Sequence, residues 1–596
     1  MIKHMRYLLK FILFASLLTL YSCNGTRIDE PAITAAELEE HINYLASEEL
    51  KGRLPGTEGD LESARYIRDL MASWGLVPAI GEGLQDIEIV ASLEAGANNT
   101  LVIDKENINN DKFMPFAFSA SAAHKGEAVF AGYGFSIDSD SLKWDDYENI
   151  DAEGKWVIIL RADPEIDNTM SSFAQHSADR DKVMLAKDKG AAGILMVSGE
   201  TLDPQDEFEA LSRGEYSTGI PVFRIKRDIA NAILKGKNIT ISGLEEKLNK
   251  TFTPQSFETG SIIEGEAELI EQKITSHNVL MVLPGNDSIL KDEYVVIGGH
   301  YDHLGMGGPG SSSRAPDTTA VHHGADDNAS GIASMLEIAE KFAAEKNNAR
   351  SLLFAGFAAE EMGLLGSKYL VENMPVEAGK VNAMINLDMV GRLKETRQLQ
   401  IGGAGTAMEF REIISGHIDT LVLKPTISEE GYGPSDHSSF YGKDIPVLFF
   451  STGAHLDYHT PYDTPDKINY SGLVNVSDLV YNISSELAGS SEKLAFMEAG
   501  PKTQSNRGMP RGGVTLGIMP DFAGNIKNGL RADFVTPGRP AALGGMKKGD
   551  IITAINGKAI NNIQDYMYRL SELNAGENIQ VEIIRDNEKE LLLIAL

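Results

Sequence analysis

The sequence predicts an α/β protein, a mixed and mainly parallel sheet flanked by helices, with one domain inserted into it and another appended at the C-terminus. Three observations lead there. Four apolar runs, YVVIGGH, SLLFAGF, KVNAMINL and DIPVLFF, have the length and composition of buried strands, and helical patterns separate several of them. From about 106 to 262 the texture changes to short strands and loops, and the apolar series resumes only at SHNVLMVLPG. Residues 496–512, within AGPKTQSNRGMPRGG, form a polar linker before a last strand-rich unit, 513–596.

The chain has 596 residues, several domains' worth at roughly 150 each, and 42% are apolar, enough for several cores. Asp plus Glu outnumber Lys plus Arg by 86 to 54, a net charge of −32. Phosphate binding needs a positive field, so nucleic acid is excluded as a partner. The N-terminus has Lys3, Arg6 and Lys10, then an apolar run from Phe11 to Tyr21 that is too short to span a bilayer comfortably. Cys23, the single cysteine, follows directly, so an internal disulfide is impossible. Residues 1–22 resemble a bacterial lipoprotein signal, which implies cleavage before Cys23, acylation of its thiol and a lipid anchor in the periplasm or on the outer membrane or cell surface. An ordinary signal or an uncleaved anchor is the other reading; both export the chain.

Residues 30–105 and 263–495 are expected to form one discontinuous domain around an insertion at 106–262. The first piece opens with ITAAELEEHINYLASEEL, a helix capped by Thr34 with Glu37 three residues on. KGRLPGTEGD punctuates it, and LESARYIRDLMASWGL gives a second helix ending at Gly75. In the insertion, GEAVFAGYGF, GKWVIILRAD, AAGILMVSG and GIPVFRI read as strands and DRDKVMLAKDKGA as a helix.

The chemistry lies in 263–495. Its apolar strands end in His300, in Glu360 with Glu361, in Asp388, and through a short loop in His459. Asp327 stands at the entrance of a helix whose apolar positions are Ile332, Met335, Leu336, Ala339, Phe342 and Ala343. Carboxyl ends of parallel strands converge on one crevice. Two imidazoles and three carboxylates gathered there suit a pair of zinc ions, with one carboxylate bridging. Adjacent acids can then divide the work, one as ligand and one as general base.

These residues resemble the co-catalytic zinc aminopeptidases, metallopeptidase family 28. The matching stretches are GGHYDHLG, GADDNASG, AAEEMGLLGS, NLDMVG and YHTPYDT, in the family's order, with GRLPGTEG upstream. The resemblance implies a zinc exopeptidase fold and two Zn2+ per chain. It makes Asp327 the bridge, with His300 and Asp388 completing one zinc and Glu361 and His459 the other. Glu360 would be the general base, and Asp302 would orient His300 through its free ring nitrogen. The family's pattern also implies a cis peptide between Asp327 and Asn328. Relatives use a tyrosine at the position of Tyr432 or of Tyr458 to hydrogen-bond the tetrahedral intermediate, and the sequence favours neither. Asp436 and His437 line the pocket or are structural. His303, His322, His323 and His455 lie near the motifs, within reach of substrate, but read as exposed loop histidines rather than ligands, and Asp326 as supporting rather than ligating.

The insertion resembles a protease-associated domain, which in relatives shapes access to the neighbouring site. The tail resembles a PDZ domain: GVTLGIMP, with Thr515, Leu516, Gly517 and Ile518, would cradle the carboxylate of a peptide added as an extra strand. The expected activity is hydrolysis of peptide bonds in a peptide or protein substrate, with release of N-terminal residues first in order. A glutamate-carboxypeptidase-like specificity is the near alternative. A receptor on an inactive scaffold is the remote one, set against a complete set of ligands and base.

Overall fold

The computed structural model describes residues 32–139, 142–168, 171–211, 216–308, 311–500, 514–520, 528–536 and 538–596. Residues 1–22, read from the sequence as a signal, and Cys23, like most of the 496–512 linker, lie outside them. Among the described residues no helix is long and apolar enough to cross a membrane. The chain divides into two units, described separately below. One takes in the described residues up to Ile87 and those from Thr275 to 500; the other takes in Glu88–Ile274 and the C-terminal segment.

The first unit is built on a nine-stranded mixed sheet. Its centre is four parallel strands in the order Ser351–Phe357, Tyr294–His300, Val381–Leu387, Val447–Ser451. Leu269–Leu283 joins antiparallel on one side, and Gln398–Gly402 on the other. Every residue of Ser351–Phe357 and Val381–Leu387 is buried, as expected for strands covered on both faces. The Gly331–Glu345 helix buries the predicted apolar stripe. Thr34 caps Ala35–Leu45 by accepting the Glu37 N–H, and Thr57 caps Glu58–Ser73 through Asp60.

The insertion is wider than the predicted 106–262. Thr100–Ile103 pairs with Ser256–Glu266, so it belongs to the inserted sheet, and the units change at Ile87/Glu88 and Ile274/Thr275. Both changes fall inside long strands, Leu84–Ala95 and Leu269–Leu283, which pair with each other and carry neither Gly nor Pro to mark a boundary. The inserted sheet has eight strands. Ala123–Ala131, Trp156–Leu160, Gly193–Val197 and Val222–Ile225, the four strands expected there, run parallel in that order. The C-terminal part is an antiparallel sheet, Ile518–Pro520, Leu530–Val535, Ile551–Ile555, Asn578–Arg585 and Glu588–Ala595, with helices Pro540–Leu543 and Ile563–Ser571. Within this second unit, the Asp179–Asp188 and Ile563–Ser571 helices are joined by Arg180–Asp565 at 2.7 Å and by a two-pronged Arg569–Asp188 contact at 2.6 and 2.9 Å.

Candidate metal centre

Four parallel strands and their loops bring the acids and imidazoles to one edge. The pair of glycines before His300 is needed for this. A Cβ on Gly298 would lie 2.6 Å from the Ala355 carbonyl oxygen, and one on Gly299 2.5 Å from that of Leu387. Three residues without glycine's freedom take left-handed backbone at the site: Ala359 beside Glu360 (φ +52°), Met389 beside Asp388 (φ +55°) and His459 itself (φ +57°). Such conformations collect where surrounding structure imposes them, commonly at functional sites. The Asp327–Asn328 peptide is cis. Asn328 ties this segment to the neighbouring strand, donating to the Leu387 carbonyl at 2.9 Å and accepting from Met389 N at 3.2 Å.

All five predicted ligands converge. His300 Nε2 lies 3.2 Å from Asp327 Oδ1 and 3.6 Å from Asp388 Oδ1. His459 Nε2 lies 3.3 Å from Asp327 Oδ2 and 2.9 Å from Glu361 Oε2. Asp327 thus offers one oxygen to each imidazole. Two groups have the spacing to hold a metal ion, His300–Asp327–Asp388 and His303–Asp327–Glu361, with Asp327 common to both. Neither His303 Nε2 nor Asp327 Oδ2, both buried, has a hydrogen-bond partner among the described residues. A nitrogen- and oxygen-rich donor set with unused buried atoms fits zinc.

Three expectations need correction, that for His322 further below. His303 is not an exposed loop histidine: it is fully buried, its Nδ1 2.7 Å from Glu361 Oε1. The spacing within HYDH could have flagged it. Asp302 does not reach His300 chiefly with its carboxylate. Its carbonyl oxygen is nearer to His300 Nδ1, at 3.2 Å against 3.7 Å for the carboxylate. The carboxylate instead accepts the main-chain N–H groups of Glu360 at 3.0 Å and Glu361 at 3.4 Å.

The two adjacent acids are driven apart in ionisation. Burial holds the Glu360 carboxyl well above the usual carboxylate range, against the pull of His300, and Asp436, Glu361 and Asp388 add to the rise. Glu361 is buried too, and Asp327 pushes it up, yet its bonds to His303 and His459 bring it below that range. Acid–base roles separate in this way when neighbours see different surroundings.

The Tyr458 ring stacks on His459 with centroids 3.8 Å apart. Burial, and then the carboxylates of Asp327, Glu361, Asp388 and Glu360, raise its hydroxyl pKa. Tyr432 instead packs, half-buried, on a core containing Phe440 and Tyr441. Burial pushes Asp436 up to about 7, with neither carboxylate oxygen hydrogen-bonded among the described residues. Burial lowers His437 to about 3, and its ring stacks on Phe449 at 4.5 Å. His322, expected as an exposed loop histidine, is instead fully buried and bonded to Ser313 at 2.7 Å. Half-buried His323 takes the Ala46 carbonyl at 2.8 Å.

Several supporting residues carried no assignment from the sequence. Asp463, in YHTPYDT, accepts the N–H groups of Asp326 at 2.8 Å and Asp327 at 3.1 Å. Asp326, in its supporting place, lies 3.2 Å from His455 and accepts the Gly391 N–H at 2.6 Å. Arg53, in GRLPGTEG, is fully buried and donates to the carbonyls of Leu45, Tyr301, His323 and Gly324, fixing the loops after His300 and before Asp327. Burial lowers its pKa to about 10, offset by Asp327, Asp302, Asp463 and Glu361.

This is a carboxylate–imidazole centre with two candidate metal sites at the carboxyl edge of an α/β sheet. Residues 278–484, which contain all five predicted ligands and Glu360, match the model of Peptidase family M28, and residues 517–596 match that of the PDZ domain. A "Probable leucine aminopeptidase" of Arthroderma otae is 29% identical over 239 residues, 38% of this chain and 62% of that protein. "Leucine aminopeptidase 1" of the same organism is 28% identical over 37% of this chain and 60% of its own length. The chain thus spans about three-fifths of these relatives. Among solved structures, the aminopeptidase from Aneurinibacillus sp. strain AM-1 is 22% identical with a TM-score of 0.44, covering 78% of this chain and 96% of that one. The zinc aminopeptidase BSAP from Bacillus subtilis is 21% identical with a TM-score of 0.43, covering 79% and 99%.

Proposed function

We propose that the chain is an exported two-zinc aminopeptidase that releases N-terminal residues from peptides. One observation carries this reading. Glu360 and Glu361 are adjacent, pinned by the same carboxylate, and oppositely shifted in ionisation beside Asp327, the acid shared by both metal-competent groups. His300, Asp327 and Asp388 would hold one zinc, and Asp327, Glu361 and His459 the other. His303 would orient Glu361 from the opposite side. Zinc ions bound there supply Lewis acidity toward the peptide carbonyl and toward water. Glu360, held free of the ligand groups, takes the proton from the attacking water and delivers it to the departing amine nitrogen. The Tyr458 hydroxyl, among the site's carboxylates, donates to the carbonyl oxygen as negative charge develops on it.

The choice of aminopeptidase rests on the names of the relatives. We assign the insertion to the protease-associated type on its strand–helix pattern, and the PDZ segment to a C-terminal peptide ligand held at Thr515, Leu516, Gly517 and Ile518. In support, Leu516 is fully buried and Gly517 takes φ +75° in that loop. The basic start, short apolar run and Cys23 support a lipid anchor. The function is tested with a free-amine dipeptide and its N-acetylated counterpart, each with and without chelator and zinc re-addition. Zinc-dependent cleavage of the free-amine substrate alone is expected; preference for the blocked one would move the assignment to a carboxypeptidase.

A further inference from the structure

A cavity of 180 Å3 opens in the inserted domain, its wall combining apolar residues such as Phe116 and Phe118 with two arginines, Arg161 and Arg224, and two acids, Asp179 and Glu209. Its place follows from the topology. Arg161 directly follows the Trp156–Leu160 strand, Ser198 follows Gly193–Val197, and Arg224 lies in Val222–Ile225. These three strands are parallel neighbours, and open α/β sheets bind ligands at their carboxyl ends.

The two arginines differ in how they are used. Arg161 donates to Asp179 at 2.7 Å, to Glu209 at 3.3 Å and to Ser198 at 3.4 Å. Arg224 is 3% exposed and pairs with Asp203 through Nη2, but its Nε and Nη1 make no hydrogen bond among the described residues. Glu209 Oε1 lies 3.5 Å from Nη1, an ion-pair contact without hydrogen-bond alignment. Buried donors left open are costly, and native proteins normally fill them.

Glu209 shows what fills them. Its side chain is 74% exposed, yet its carboxylate reaches both guanidinium groups, engaging each weakly. It stands where a carboxylate from outside would be gripped. Beside it the wall is aromatic: Phe116 and Phe118 stack 4.9 Å apart, and Arg161 lies 5.6 Å over the Phe116 ring.

We propose that this cavity binds a carboxylate carried on an apolar body the size of one amino-acid residue, the ligand's carboxylate replacing that of Glu209 between Arg161 and Arg224. Guanidinium groups are the side chains best matched to carboxylates. An apolar cavity of about 150 Å3 holds benzene, whereas drug-sized ligands take about 300–1,000 Å3. The volume therefore suits a single residue, either a free apolar amino acid or the C-terminal residue of a peptide. This site shares no residue with the metal centre and does not depend on the peptidase reading.

The test is calorimetric titration of the full chain with N-acetyl-alanyl-leucine, leucine and N-acetyl-leucinamide. At least one of the two acids is expected to bind and the amide, which lacks the carboxylate, not to. Glu209→Ala, an exposed change, should tighten the acid about threefold by removing the competing carboxylate, and Arg224→Gln should weaken it about tenfold. Leucine binding alone identifies a free amino acid as ligand, and dipeptide binding alone a peptide end; either supports the site. Amide binding equal to that of the acids, binding unchanged in Arg224→Gln, or no acid binding in either the wild type or Glu209→Ala would overturn it. If Arg224→Gln does not fold, failure of Glu209→Ala to tighten the acid overturns it instead.

Discussion

Asp302 Oδ1 accepts the main-chain N–H of Glu360 at 3.0 Å, so the residue two positions past His300 sets the backbone of the acid that no metal group uses. The other Asp302 oxygen holds Glu361. Asp302→Ala should therefore release both acids at once, lowering kcat by about 10–100-fold, the range typical for loss of such a support. Asp302→Asn, which keeps one acceptor oxygen, should recover part of it. Equal kcat in Asp302→Ala and wild type would remove this role.

The two tyrosines can be separated. Tyr458 stacks on His459 and its hydroxyl pKa is raised by burial and then by four carboxylates of the site, whereas Tyr432 packs on the core. Tyr458→Phe should cut kcat by about 10²–10³-fold with little change in KM, as for loss of an oxyanion donor. Tyr432→Phe should stay near wild type. The reverse pattern in steady-state kinetics would exchange their roles.

His459 and His303 both touch Glu361, but only His459 Nε2 lies within 3.5 Å of oxygens from both Asp327 and Glu361. Metal analysis should find about one zinc fewer in His459→Ala, not restored by added zinc. His303→Ala should bind the same number with about 10–100-fold weaker affinity at one site. Identical losses in the two variants would make His303 a ligand.

Asp60 supplies a pH dependence outside the ligand set. Burial raises its pKa from 3.8 to about 7, against bonds from Gly56 N and Ser276 Oγ. Between those values the folded chain holds a proton that the unfolded chain has lost. This contribution is fully present below about pH 4 and fades as pH rises through 7. Asp60→Asn, neutral throughout, should flatten that slope and stabilise the first unit at pH 8 by a few kcal/mol, at about 1.4 kcal/mol per unit. Thermal midpoints of variant and wild type at pH 5 and pH 8 check it; a difference independent of pH refutes it.

Much of the site is legible in the sequence because its residues sit at ends of apolar runs. His300 closes its strand, Asp388 directly follows Val381–Leu387 and Glu361 lies in the turn four residues past Ser351–Phe357, all strands whose length and composition announce them, and the helix after Asp327 declares itself by its spacing. His303 is not legible in that way. Whether the loop after His300 turns inward depends on Arg53, about 250 positions upstream, whose guanidinium holds the Tyr301 carbonyl. The same remoteness hides Asp463, which acts on Asp327 through main-chain N–H groups. The insertion's edges escape notice because the Leu84–Ala95 and Leu269–Leu283 strands run on through the change of unit without a turn residue.

The most direct test of the two-metal peptidase reading is zinc content and turnover measured together on Glu360→Gln. Glu360 is 4.0 Å from the nearest ligand nitrogen, His300 Nε2, and belongs to neither metal-competent group. The variant should keep two zinc ions per chain, with KM for a leucyl substrate near that of the wild type and kcat lower by about 10²–10⁴-fold. Turnover within a factor of about two of wild type, or loss of zinc in step with activity, would contradict it.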